Sequence, residues 1–408
     1  RNVLAITYSL PLSDWYRVGA CSIRYLRCSP FFAYFSKLLA RPAAVINPQL
    51  VDLYARHLDL LPALRYLRAT VVCTELALGA AFMMFVRSAG DRRVQSLVLA
   101  SMYSHPVLVM VDHIRIQYNG FALSLLTVSI ICHKQGRHLL GTTVFSVLVN
   151  FDINYLRFAP AYCVYTLGTY CMSPSGTILT ANILSTFNAT LGVFVLSFGP
   201  FVCMGQANRI LSGLTSTMFS ESSSTSWTLN MRFLLVLIDH AMYHAEVINY
   251  ILGLNWNDSR FGDLQPINAS SSSPFLVLPP LRPMHSYSIA TMVHAGILFK
   301  LWQRPNHLSF VMALNLCAYT CMLSDWILQD SGILWVLLTT SVLAVEGNLS
   351  PSLFFIPNLA AVCSTFVVLC TEKGLLTGYT LLWAVCMLLP AHQDLRRYDI
   401  FYSRRFYE

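Results

Sequence analysis

Long apolar runs separated by short polar or basic connectors dominate the chain from residue 61 to residue 391. A helix crossing the roughly 30 Å hydrocarbon core of a bilayer needs about 20 mostly apolar residues. The pattern predicts spans at 61–86, 94–111, 120–133, 139–151, 158–172, 190–204, 232–254, 286–303, 307–323, 332–346, 352–371 and 375–391. Several are short for a full crossing and read as re-entrant or as having misplaced ends, so ten to twelve crossings are expected. The runs are longer than strands and lack period-two alternation, which favours helices over a barrel. No internal repeat is visible. Residues 1–60 read as a first, lumenal loop with re-entrant or interfacial helices, and 61–408 as a multi-helix transmembrane domain with lumenal loops near 112–120, 151–157 and 208–231. The Ser-rich stretches 220–226 and 269–273 read as loops.

Composition agrees. Of 408 residues, 55% are hydrophobic and 11% charged, and the mean hydropathy is +0.55. Soluble domains carry about 25% charged residues, so an ordinary cytosolic enzyme and a disordered chain are both excluded. The 27 Lys+Arg against 19 Asp+Glu give a net +8, which here bears on orientation. No run of Lys and Arg interleaved with aromatics marks a nucleic-acid groove.

Basic connectors face the cytoplasm. With Arg87, Arg92 and Arg93 in one such loop and Lys134 and Arg137 in the next, the two spans between them form a hairpin. Its tip, Asp112 to Gly120, then lies at the lumenal boundary. Span 61–86 runs from lumen to cytoplasm, which places residues 1–60 in the lumen. Arg396, Arg397, Arg404 and Arg405 read as a cytoplasmic tail. Lys300 and Arg304 break the alternation, leaving topology between 205 and 305 open. Sequons occur at Asn188, Asn257, Asn268 and Asn348 and are usable only where lumenal. Most of the twelve Cys lie in apolar runs and act as small hydrophobes. Cys21 and Cys28 pair or stay free thiols. The chain begins at Arg1 without Met or signal-like segment and reads as lacking its true N-terminus.

Three polar segments interrupt this apolar background. The first is His105-Pro106 followed by Asp112-His113-Ile114-Arg115-Ile116-Gln117-Tyr118-Asn119-Gly120. Charges at membrane depth cost about 2.5–3.5 kcal/mol each, so they are usually placed for function; an interfacial loop is the alternative. The second contains Asp152 and Arg157, which pair with each other or clamp a phosphate, for which the planar guanidinium fork is suited. A short loop leading into a Pro-started helix is the plain alternative. The third contains His240 and His244, one helical turn apart as zinc can use. No third ligand is evident there, so buried hydrogen-bonded histidines are preferred to a metal. Glu75 lies mid-span near Arg68, as a helix-packing pair or a catalytic group. No Gly-rich phosphate loop, Walker-type lysine or Ser-His-Asp order occurs. Nucleotide chemistry is therefore unsupported, and a lumenal enzyme would draw its donor from the lipid phase.

Val111 to Gly120 resembles the "DH-x-HFQYN" signature of the dolichyl-phosphate-glucose α-1,3-glucosyltransferases of the N-glycan pathway. The Asn-Gly ending and the Ile after His113 resemble the second-glucose enzyme more closely. Further matches fall in order. Arg1 to Thr7 and Leu10 to Tyr16 resemble "RNWLAIT…LPISQWY", Pro30 to Phe35 "PPFFAWF", Ala159 to Tyr162 "APAY", and Ser197 to Phe201 "SLGPF". Gln206 falls at a family Gln, and Trp227 and Asn230 fall on "W-x-x-N". Ile46-Asn47-Pro48 instead resembles the first-glucose enzymes.

The resemblance implies an all-α, lipid-donor (GT-C type) transferase in the endoplasmic-reticulum membrane. It would move glucose from dolichyl phosphate glucose to a dolichyl-diphosphate-linked oligomannose in α-1,3 linkage, with inversion and without cofactor or metal. Implied partners are the dolichyl-linked donor and acceptor and membrane lipid. Implied substrate-binding residues are Asp112, His113, Arg115, Gln117, Tyr118, Asn119, Arg157, Trp227 and Asn230. Arg115 and Arg157 would meet phosphate, and Trp227 and Asn230 sugar, although Tyr118 and Trp227 also suit interfacial anchoring. The family's catalytic Asp would precede Arg1, so no catalytic residue is assigned.

The chain departs from the family at several polar positions. The "LDYPP" stretch reads Leu26-Arg27-Cys28-Ser29-Pro30, the signature's second His is Arg115, the Lys-His of "FKH" is Asp152-Ile153, and "HVHEK" is Ile327-Leu328-Gln329-Asp330-Ser331. These changes leave a second reading, a catalytically impaired homologue that binds lipid-linked oligosaccharide or partner enzymes. A transporter would show paired interrupted helices with internal symmetry, and none is found.

Overall fold

A computed structural model describes residues 1–16, 26, 28–53, 60–87, 92–173, 176–219, 238–239, 241–242, 283–324, 331–346, 350–371 and 375–396. Among them the architecture is helical, and the one recorded β-pairing is an isolated bridge between Met172 and Ile178. The early elements are α1 (Asn2–Ser9), α2 (Pro30–Ile46), α3 (Leu60–Arg87), α4 (Arg92–Tyr103), α5 (Pro106–Leu108), α6 (Asn119–Lys134), α7 (His138–Phe151) and α8 (Ala159–Thr166). The later ones are α9 (Thr180–Cys203), α10 (Ala207–Phe219), α11 (Pro283–Gln303), α12 (His307–Ser324), α13 (Ser331–Val345), α14 (Pro351–Thr371) and α15 (Leu375–Trp383).

The helices follow the apolar runs closely, with informative differences. Among the described residues, four segments are long and apolar enough to cross a membrane unaided: Leu61–Arg87, Val94–Ile114, Thr180–Cys203 and His307–Ser324. Others are shorter than a full crossing. The 16 residues of α6 rise about 24 Å at about 1.5 Å each, so their polar ends complete the path. The expected span 190–204 begins ten residues earlier, because Thr180, Ser185 and Thr186 continue the helix by bonding their own backbone or facing outward. Asn188 therefore lies within a spanning helix, out of reach as a glycosylation site. All but four residues of span 232–254, the sequons at 257, 268 and 348, and Arg397, Arg404 and Arg405 lie outside the described residues.

Pro106 lacks the N–H that would continue the helical ladder, and the helix breaks there. In a membrane the backbone carbonyls near such a break need other donors. Those donors come from α15: Trp383 Nε1 donates to the Ser101 carbonyl at 2.9 Å and Tyr379 Oη to that of Ser104 at 2.7 Å. His105 caps the restart, its Nδ1 accepting from Val107 N at 3.1 Å. It is wholly buried, so it belongs to the bundle interior rather than to the hairpin tip. Between α12 and α13, Asn315 Nδ2 donates to Thr339 and Thr340 Oγ1 at 3.1 and 2.9 Å. Such bonds hold membrane helices together where lipid is as apolar as the side chains. Trp335 of α13 is buried against Tyr155 and Phe158, with ring centroids 5.3 and 5.6 Å apart.

One ionic cluster orients α12 and α13, while most of 220–282 lies outside the described residues. Lys134 Nζ, at the basic end of α6, pairs with Glu346 Oε1 at 2.9 Å, and His307 Nε2 approaches the same oxygen at 3.4 Å. The start of α12 and the end of α13 thus lie on the basic face with the 134–137 loop. Arg304, three residues before His307, joins that face. Arg157 and Pro160 meet Tyr287 near the start of α11, on the opposite, outer face.

Candidate functional site

The outer end of the hairpin is built from an irregular backbone. After Pro106 the helix widens into a π turn over Val109–Ile114, and such turns are frequent at functional sites. Gln117 N bonds the Asp112 carbonyl at 3.1 Å and closes it. Ile116 then takes φ +57°. A β-branched residue rarely adopts this left-handed conformation, which costs on the order of 1–3 kcal/mol. The reversal brings Asn119 back to begin α6.

Asp112 holds this turn together. It is 1% exposed. Its Oδ1 accepts from Asn119 N at 3.2 Å and Asn119 Nδ2 at 2.8 Å, and its Oδ2 from Gly120 N at 2.6 Å. A carboxylate at a helix N-terminus satisfies unpaired N–H groups and meets the positive end of the helix dipole. With both oxygens engaged and no open face, Asp112 organises the site from beneath. The helix start is tightly packed: a Cβ at Gly120 would stand 3.0 Å from Glu75 Cγ and 3.3 Å from Asp112 Oδ2, so those side chains would have to give by a few tenths of an ångström.

Glu75 does not form the short pair with Arg68 that its spacing suggests. Its Oε2 meets His113 Nε2 at 2.6 Å, and both lie beside the Asp112 turn. Tyr118 Oη hydrogen-bonds Thr70 Oγ1 at 3.1 Å. Its ring packs on Phe35 at 5.3 Å and Phe32 at 6.0 Å, which ties α2 to the hairpin.

Gln117, Tyr118 and Asn119 line a cavity of about 350 Å³ together with Phe32, Phe151, Asp152 and Asn154. The two segments singled out in the sequence, 112–120 and 151–157, therefore meet at one place. Asp152 Oδ1 accepts from Asn154 N at 3.0 Å and Asn154 Nδ2 at 2.9 Å. Burial pushes its carboxyl above the usual carboxylate range, against the pull of the Asn154 bonds and the Arg157 charge.

Arg157 does not join that cavity. The 3₁₀ turn Ile153–Phe158 carries it to a second one, of about 430 Å³, lined also by Pro160, Tyr287, Thr291, His294 and Ser324. Arg115 is exposed and lines neither cavity. Trp227, Asn230, Arg27, residues 327–330, and the Cys21 and His240/His244 expectations lie outside the described residues. Among the described residues, no group of three or more His, Cys, Asp and Glu side chains is placed to hold a metal ion. Asn154 and Phe32 were not among the expected binding residues, and Asp152 was expected only with Arg157, as its ion pair or at a phosphate. An Asx turn was legible at Asp152-Ile153-Asn154, but nothing local shows that it faces Gln117.

The model of the ALG6, ALG8 glycosyltransferase family matches residues 1–405. The chain belongs to that family. Three similar proteins each carry the name dolichyl pyrophosphate Glc1Man9GlcNAc2 alpha-1,3-glucosyltransferase. The one from Gibberella zeae is 33% identical over 400 residues, covering 95% of this chain and 78% of its own. The Schizosaccharomyces pombe protein is 32% identical over 351 residues, 85% and 69% of the two chains. The Arabidopsis thaliana protein is 30% identical over 379 residues, 90% and 72%. In this glycosyltransferase the signature segment supplies Gln117, Tyr118 and Asn119 to the cavity wall, while Asp112 and His113 hold the backbone that presents them.

Proposed function

We propose that this glycosyltransferase moves glucose from dolichyl phosphate glucose to a dolichyl-diphosphate-linked oligomannose in α-1,3 linkage, with inversion. The names of its relatives favour the second glucose, on a Glc1Man9GlcNAc2 acceptor. The endoplasmic-reticulum membrane is the compartment, with the outer face lumenal.

The observation that carries the reading is the pair of cavities at the two ends of one short turn. The first offers a carboxylate, three amide side chains and an aromatic wall, the groups that read a sugar. The second sets one guanidinium and the hydroxyls of Tyr287, Thr291 and Ser324 among apolar walls. It adjoins α11, whose Ile289, Met292 and Val293 are exposed, as suits a phosphate whose isoprenoid tail lies in the bilayer. An arginine fork binds phosphate through two hydrogen bonds and stabilises charge growing on it as it departs. Asp152 and Arg157 are five residues apart, about 10 Å at about 2.0 Å per residue of 3₁₀ helix, within reach of a single transfer step. The donor is already an activated phosphate ester, so no cofactor enters this reading.

Expression in cells lacking the second-glucose step should convert the singly glucosylated lipid-linked glycan to the doubly glucosylated one, read by mass. Persistent accumulation of the singly glucosylated form overturns the proposal. Arg157→Ala should raise the KM for dolichyl phosphate glucose about 10-fold or more, since a hydrogen bond to a charged group contributes about 1.5–3 kcal/mol. The acceptor KM should stay unchanged; an unaltered donor KM would place the phosphate elsewhere.

A further inference from the structure

Among the described residues, Asp152 is the carboxylate that lines the outer cavity. Both oxygens of Asp112 are spent on Asn119 and Gly120, beneath the surface. Asp152 lines the cavity itself. Its Oδ1 is engaged by two donors from Asn154, and its Oδ2 accepts no recorded hydrogen bond among the described residues.

The surroundings fit a sugar. Asn154 fixes the carboxylate, so little rotamer freedom is lost when a ligand binds. Phe32 and Phe151 stand edge to face with centroids 5.4 Å apart, and Tyr118 lies 6.0 Å from Phe32. They make an apolar wall on which the C–H face of a pyranose can rest. Gln117 and Asn119 bring amides to the rim. An apolar wall with a few fixed polar groups is the usual composition of a specific pocket. A hydroxyl donating to an ionised carboxylate makes a short, strong hydrogen bond.

We propose that Asp152 is a specificity-determining residue that takes hydroxyl hydrogen bonds from the accepting sugar through Oδ2, with the ring seated on Phe32, Tyr118 and Phe151. The assignment rests on the proposed transfer to an oligomannose acceptor. The family segment this position resembles carries Lys-His where this chain has Asp152-Ile153.

The full-length chain in lipid nanodiscs tests this, with Asp152→Asn as the main variant and Asp152→Glu as its charge-restoring partner. Binding of the free acceptor glycan, followed by saturation-transfer NMR, should weaken about 10-fold in Asp152→Asn and recover in part in Asp152→Glu. In transfer assays the acceptor KM should rise similarly, with kcat and donor KM held within about 2-fold. Should Asp152→Asn fail to fold, Phe32→Leu, which trims the wall, should weaken the same binding. Unchanged glycan binding in the folded variants overturns the assignment. So does a collapse of kcat at constant KM, which would make Asp152 a proton acceptor. A wild-type chain that binds the glycan without transferring glucose fails the proposed function, and the variants' binding still decides the role of Asp152.

Discussion

Replacing Asp112 by Ala should abolish glucosyl transfer and destabilise the protein by about 3–5 kcal/mol. The carboxylate accepts from Asn119 N, Asn119 Nδ2 and Gly120 N, and a buried group left without its partner costs about 1–3 kcal/mol. Asn119 Nδ2 keeps its bond to Gln117 Oε1 at 2.8 Å, so the total falls short of three full penalties. The strained Ile116 turn then has less to hold it, and Gln117, Tyr118 and Asn119 leave the cavity wall. Asp112→Asn should recover only part, because one of its amide positions presents hydrogens toward the N–H groups the carboxylate accepts from. The measurement is thermal unfolding in nanodiscs beside an initial-rate assay. An Ala variant with wild-type melting and turnover would show that the capping role is wrong.

The second large effect is expected at Glu75. Glu75 is buried, but the His113 side chain keeps 25% of its surface exposed, so the pair is only partly desolvated. Glu75→Ala should therefore cost about 1–3 kcal/mol, as for a buried hydrogen-bonded group that loses its partner. Arg68 is exposed, and Arg68→Ala should change stability by no more than about 0.5 kcal/mol. A double-mutant cycle between Glu75→Ala and His113→Ala should show a coupling of about 1–3 kcal/mol, as for residues in direct contact. Additive effects in that cycle, or an Arg68→Ala as costly as Glu75→Ala, would reject the pairing.

Glu75 shows where sequence reasoning reached its limit. Its helical spacing offered Arg68 as partner, but Arg68 stays at the exposed surface, and the π turn swings His113 within 2.6 Å of the carboxylate. A π turn shifts helical phase by one residue, and no local pattern in residues 109–114 announces it. Arg157 shows a different limit. Its chemistry was legible and its neighbours were not, because they come from α11 and α12, more than 120 residues later. Arg304 shares the basic face with Lys134 because Glu346 joins Lys134 and His307 there, a contact between residues more than 200 positions apart.

The sequence alone determined that this protein is a helical membrane glycosyltransferase. Hydropathy over about 20 residues sets a spanning helix through local chemistry, and the signature residues are contiguous in the chain. It also marked 112–120 and 151–157 as the segments with polar groups at the membrane boundary. Tertiary structure decided how those groups divide their work: Asp112 inward as a cap, Asp152 outward into the cavity, Arg157 into another. Such roles depend on which oxygen or nitrogen is already engaged. That is settled by partners far apart in sequence and by a backbone that leaves the regular helix where the site is built.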